Sequence, residues 1–162
     1  MKRFAAAVLA LQLGLSQAQP PETLADEIDA VVREGADWPD EALRKLDAIE
    51  ARLAPSAEHG RMLRLARGSI YAGAARTAEA QAQADALAAG TDDAQAQAGA
   101  LLVRAMLAHT QGHADVAAEG ARAALAASKT ACAQRNDNAP RCEHRTAWEA
   151  LEIIGHYEDH RG

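Results

Sequence analysis

The chain contains two cysteines, Cys132 and Cys142. They flank a polar stretch that includes Asn136, Asp137, Asn138 and Pro140. In an oxidising compartment, two cysteines on either side of one loop read as a disulfide. Such a bond would staple the end of one helix to the start of the next. Closing so short a loop stabilises by about 2.5–3 kcal/mol in the chain-entropy account. The other chemistry open to this region is metal binding. Cys142 and His144 stand near His156 and His160, and the last two share one helix face at i, i+4 spacing. Zinc takes thiolate and imidazole ligands. Nine residues separate the cysteines, however, where zinc knuckles have two to four, and a disulfide would consume both thiolates. His109 and His113 have the same spacing, but Gly112 falls between them and is expected to break the helix. Solvated histidines near helix ends are the simpler reading, so no metal and no cofactor is expected.

Other catalytic signatures are missing from the sequence. It has no glycine-rich phosphate loop, no G-x-S-x-G elbow, no H-E-x-x-H helix and no paired-carboxylate pattern. The acids are scattered. Asp92 and Asp93 suit the first turn of a helix, where negative charge meets the positive end of the dipole. Asp26, Glu27 and Asp29 read as a solvated face. Trp38 and Trp148 are expected to fill core, with contact anchors as the alternative, since aromatics are over-represented at binding hot spots. No catalytic residue, and no enzyme, is expected from these residues.

The elements that position these groups begin after a leader. Met1-Lys2-Arg3 is cationic, an apolar run of roughly a dozen residues follows, and Ser16-Gln17-Ala18 offers a small-residue cleavage site. A bilayer needs about 20 apolar residues, so the run reads as a secretory signal over residues 1–18 and not as a membrane span. One soluble domain over residues 19–162 is expected, periplasmic or secreted. The net charge of −6 becomes −8 once Lys2 and Arg3 leave. An acidic chain without a basic cluster is a poor binder of nucleic acid, whose phosphates are recognised by clustered Lys and Arg.

Aromatics make up 3% of the chain, and alanine, the best helix former, dominates. Apolar residues recur at helical spacing, as in Leu24, Ile28, Val31 and Val32, then Leu43, Leu46, Ile49 and Leu53. Start and stop signals divide the chain into seven helices, near residues 22–34, 39–53, 56–73, 78–89, 91–112, 114–129 and 143–160. Pro39 with Asp40 and Glu41 opens the second, Ser56 caps the third and Thr77 the fourth. The class is all-α, an antiparallel stack.

The helices also repeat. Leu101, Ala105, Ala108, Gly112, Ala117, Ala121, Ala124 and Leu125 echo Gly68, Tyr71, Ala75, Ala80, Ala84 and Leu87 about 37 residues earlier. Ala42 lies one period further upstream, and Leu151, Ile154, Gly155 and Gly162 restart the pattern. These small residues resemble the tetratricopeptide repeat, whose helix pairs stack into an α-solenoid because no pair buries its own apolar face. Arg67 and Arg104 depart from it, standing where an apolar residue is usual. An irregular alanine-rich bundle is the alternative. Because Gly162 stands at the turn after a helix A, the sequence reads as the front portion of something longer, with the last helix packing back on the array as its cap as the alternative.

With the secretory start, Trp38-Pro39-Asp40-Glu41-Ala42-Leu43, Leu46 and Ile49, the chain also resembles the exported N-terminal regions of bacterial GGDEF (diguanylate cyclase) sensors. No GGDEF motif occurs here, so no catalytic residue carries over. The expected function is a non-catalytic periplasmic interaction or scaffold module for a protein or peptide partner, or for a second copy. Arg64, Arg67, Tyr71, Arg104 and His109 are the expected partner-binding face. The alternatives are the sensory input region of a longer signalling protein, and a small metal-binding protein using Cys142, His144, His156 and His160.

Overall fold

A computed structural model describes residues 23–89, 93–134 and 144–159. The chain is all-α. Its helices are α1 (Leu24–Glu34), α2 (Pro39–Arg52), α3 (Ala57–Gly73), α4 (Thr77–Ala88), α5 (Ala94–Thr110), α6 (Ala114–Gln134) and α7 (His144–Asp159). The signal sequence expected over residues 1–18 lies outside the described residues. Among those described, no helix is long and apolar enough to cross a membrane.

Local chemistry explains most of the helix ends. Thr23 caps α1: its hydroxyl accepts from the Asp26 amide at 3.2 Å and donates to the Asp26 carboxylate at 2.6 Å. Pro39 opens α2, where the absent N–H costs nothing. Ser56 caps α3 by accepting from the His59 amide at 3.0 Å. Asp93 caps α5, its carboxylate accepting from both Gln95 and Ala96 amides. It is therefore the cap and not a first-turn residue.

The expected Thr77 cap is corrected. Thr77 is already helical, and the residue before α4 is Arg76, whose side chain makes no capping bond. The reason lies in the preceding turn. Ala75 sits in the left-handed region at φ 56°, and the Arg76 amide bonds back to the Tyr71 carbonyl at 2.8 Å. That closure ends α3 and starts α4 one residue sooner. Helix α6 also runs past the expected stop near residue 129, carrying Cys132 inside its last turns.

The helices pack in a regular order. Helix α1 lies on α2 and α3, α3 on α4 and α5, and α5 on α6 and α7, while α2, α4 and α6 each lie on the odd-numbered helix that follows. Among the described residues, no two even-numbered helices share a packed interface. One apolar cluster joins α1, α2 and α3 through Ile28, Leu46, Ile49, Leu63 and Ile70. A larger one runs from α3 to α7 through Leu65, Leu87, Leu102, Val103 and Ile153. Small residues set the helix spacing. A Cβ on Gly68 would fall 2.7 Å from Val103 Cγ2, and one on Gly120 would fall 3.2 Å from Ala105 Cβ. Side chains there would force the axes apart.

Candidate functional site

A cluster of largely buried charge links α7 to α1 and α3 through side chains. Arg145 and Glu149, one turn apart on α7, pair through Nε and Oε1 at 2.8 Å. The same guanidinium reaches Asp29 of α1, Nη1 to Oδ1, at 2.5 Å. Ser69 of α3, itself buried, donates its hydroxyl to Glu149 Oε2 at 3.4 Å. The Arg145 and Glu149 side chains are 14% and 17% exposed, so water screens the pair little. Burial raises the Glu149 pKa above the usual glutamate value. The Arg145 charge and hydrogen bond and the Ser69 hydroxyl pull it back down, while the negative charge of Asp29 adds to the rise. One cation thus serves two carboxylates, and the cluster ties the last helix to the first and third.

Asp29 therefore departs from the expected solvated face. It is half-buried and paired with Arg145, whose long side chain reaches across from α7 to α1. Its neighbours also have partners: Glu27 pairs with Arg52 of α2, and Asp26 serves the Thr23 cap.

Of the five residues expected to form a partner-binding face, Arg64, Arg67 and Tyr71 lie at three- and four-residue spacing on one side of α3, and Arg104 and His109 lie five positions apart on α5. Arg67 sends its guanidinium to Asp47 and Glu50 of α2 at 2.7 and 2.6 Å. Burial lowers its pKa, and the bonds to Glu50 and Asp47 more than reverse that. Arg104, 37 residues later, pairs in the same way with Asp85 of α4 at 2.9 Å. The hydrogen bonds from Arg104 and then Gln81 hold the Asp85 carboxyl below the usual range. Both arginines thus replace an apolar contact with an ion pair to the preceding helix. Arg67 leaves α3 about 200° away from Ser69, which faces α7. Tyr71 is half-buried under the Arg76 guanidinium, 4.7 Å from the ring centroid. Arg64 is exposed. His109 is exposed at the far end of α5, where its ring lies 5.9 Å from that of His156 on α7.

The cysteine and metal expectations meet the limits of the described residues. Cys132 is half-buried on α6, and the Gln95 side-chain amide donates to its sulfur at 3.7 Å. Cys142, His160 and the side chain of His144 lie outside the described residues. Among the described residues, no group of three His, Cys, Asp or Glu is placed to hold a metal ion.

Both tryptophans overturn the core-filling expectation. Trp38 is 67% and Trp148 64% exposed. Trp38 immediately precedes Pro39 and lines a surface depression with Glu34, Asp37, Asp40, Glu41 and Arg44. Trp148 lies on the side of α7 opposite its buried residues Ala150 and Ile153. Sequence reasoning missed the Asp29–Arg145–Glu149–Ser69 cluster. The opposite charges one turn apart at Arg145 and Glu149 were its only local trace.

Fold and site together define an all-helical protein whose buried polar groups join helices far apart in sequence. No protein-family profile matches the chain, and neither a curated protein nor a solved structure is detectably similar to it.

Proposed function

We infer that the chain is an exported, non-catalytic helical-repeat module of tetratricopeptide-like build, which acts by holding a protein or peptide partner. One observation carries the repeat reading. Ala75 and Gly112, 37 residues apart, are the two described residues with positive φ, at 56° and 79°. Each is followed by an amide that bonds back across the turn, Arg76 to Tyr71 and His113 to Ala108, both at 2.8 Å. A turn duplicated at a fixed interval is the mark of stacked helix pairs. The matched Arg67 and Arg104 ion pairs support the same period.

Export rests on the charged and apolar start of the sequence. The Cys132–Cys142 disulfide belongs to the same proposal, supported by Cys132 not being a free thiol. An interaction role is supported by the exposed tryptophans, because a solvent-facing Trp offers large contact area at small entropic cost. A place as the input region of a longer sensor is the same reading applied to a longer chain.

Site-specific crosslinking in the envelope of the native host tests the proposal. Photoreactive residues at positions 38, 64 and 148 should each yield, or fail to yield, a defined adduct with one other protein. A discrete adduct from at least one position on a product beginning at residue 19 is expected. Free product from all three positions, or a product that keeps its leader in the cytoplasm, overturns the reading.

A further inference from the structure

Two arginines of the chain lie over aromatic rings. Arg76 stands 4.7 Å from the centre of Tyr71 and donates to the carboxylates of Asp40 and Glu79. Arg122 stands 5.5 Å from the centre of Tyr157 and donates to Glu158. In both, a planar guanidinium meets the electron-rich face of a ring while its N–H groups reach a carboxylate. The turn between α1 and α2 supplies the ring and the carboxylate of a third such arrangement. Trp38 is 67% exposed and lines, with Glu34, Asp37, Asp40, Glu41 and Arg44, a depression of about 480 Å³. Among the described residues, no cation lies over the indole and no side chain bonds the Asp37 carboxylate. The nearby cations are engaged elsewhere: Arg44 pairs with Glu41, Lys45 with Glu34 and Arg76 with Asp40. Four acids against Arg44 leave the lining at −3, or −1 once Lys45 and Arg76 are counted.

We propose that this depression takes an arginine side chain of the protein partner, its guanidinium on the Trp38 indole and its N–H groups on the Asp37 carboxylate. Tryptophan gives the strongest cation–π contact of the aromatic residues. Arginine suits the place better than lysine, because a planar fork stacks on a ring and reaches a carboxylate at once. The backbone already holds the ring in position. The Trp38 and Asp37 amides donate to the Glu34 carbonyl at 3.0 and 3.1 Å, and the Trp38 carbonyl accepts from the Ala42 amide at 3.0 Å. Pro39 fixes the next φ, so binding has little left to order. The positive end of α2 opposes a cation here. Asp40 and Glu41 in its first turn offset that end, and the negative end of α1 meets the same turn. The site deepens the interaction-module reading, on which it rests, by naming the side chain that the partner presents.

The probe is the peptide acetyl-Gly-Arg-Gly-amide, titrated into the isotope-labelled full chain and followed by NMR at the Trp38 indole N–H and the Asp37 amide. Saturable shifts at both are expected, with a Kd of roughly millimolar order. Asp37→Asn should weaken binding about threefold or more, and so should Trp38→Ala followed at the Asp37 amide. Peptides with citrulline, planar but neutral, or with lysine, charged but not planar, should bind more weakly. Because Asp37 and Trp38 are exposed, both variants should keep the parent's circular dichroism and melting point. Absence of saturable shifts overturns the proposal. So does equal binding of the citrulline or lysine peptide, or of either variant, since charge, stacking or these two residues would then play no part. No arginine binding alongside a discrete adduct at position 64 or 148 removes this site and leaves the interaction-module reading standing. Arginine binding with free product from all three crosslinking positions overturns that reading and the partner proposed here.

Discussion

Arg145 of α7 and Asp29 of α1 lie 116 positions apart in the chain, yet their side chains meet at 2.5 Å. Arg145 is also the only described cation bonded to the buried Glu149. Removing it leaves one carboxylate half-buried and another nearly buried without compensation. Arg145→Ala should therefore cost about 2 kcal/mol in urea unfolding, below the 3–5 kcal/mol typical of fully buried pairs because Asp29 keeps some solvent. Asp29→Asn should cost less. The double variant should fall short of the sum, and strict additivity would show that the two residues are not coupled.

Glu149 predicts a pH dependence of definite sign. Its folded pKa is raised above the ordinary 4.5, chiefly by burial. The folded state therefore favours the protonated acid, and this contribution to stability is full below 4.5 and lost as pH rises through the folded value. Glu149→Gln removes the ionisation. Between pH 4 and pH 7 the difference in unfolding free energy should move in favour of the Gln variant. Movement the other way would mean that the Arg145 pairing, and not burial, governs this carboxyl.

The two left-handed turn residues should respond with opposite signs. Ala75 holds φ 56° with a Cβ that this region disfavours, whereas Gly112 holds φ 79° without one. Ala75→Gly is expected to raise stability by about 0.5–1 kcal/mol, and Gly112→Ala to lower it by about 1 kcal/mol. Thermal melts of the pair suffice. A destabilised Ala75→Gly would mean that the turn is held by something other than backbone preference.

Gly68 and Gly155 make a second contrast. A methyl at Gly68 runs into Val103, so Gly68→Ala should cost about 1–3 kcal/mol and be partly rescued by Val103→Ala. A methyl at Gly155 meets open space, so Gly155→Ala should gain about 0.5–1 kcal/mol from helix propensity alone. Equal effects at the two glycines would contradict the close approach of α3 and α5.

Much of the fold was legible before any coordinates. Ser56 as a cap, Pro39 at the first position of α2, and Gly112 beyond α5 all follow from neighbours within one turn, because helix hydrogen bonds join residues four apart. The left-handed turn at Ala75 was not legible, since alanine carries no local signal for that conformation. Arg67 and Arg104 stood out in the sequence as charges in apolar positions, but Asp47, Glu50 and Asp85, which satisfy them, lie 17 to 20 residues away on another helix.

By itself, then, the sequence determined the all-helical class, most helix limits and the small residues spaced for close packing, since each is encoded over a few residues. Only the tertiary structure decided that Asp29 meets Arg145, that Ser69 meets Glu149 across 80 positions, and that Trp38 and Trp148 face solvent. Those outcomes depend on the angles at which seven helices dock. Docking angles are set by the summed packing of many small side chains, which no local stretch of sequence contains.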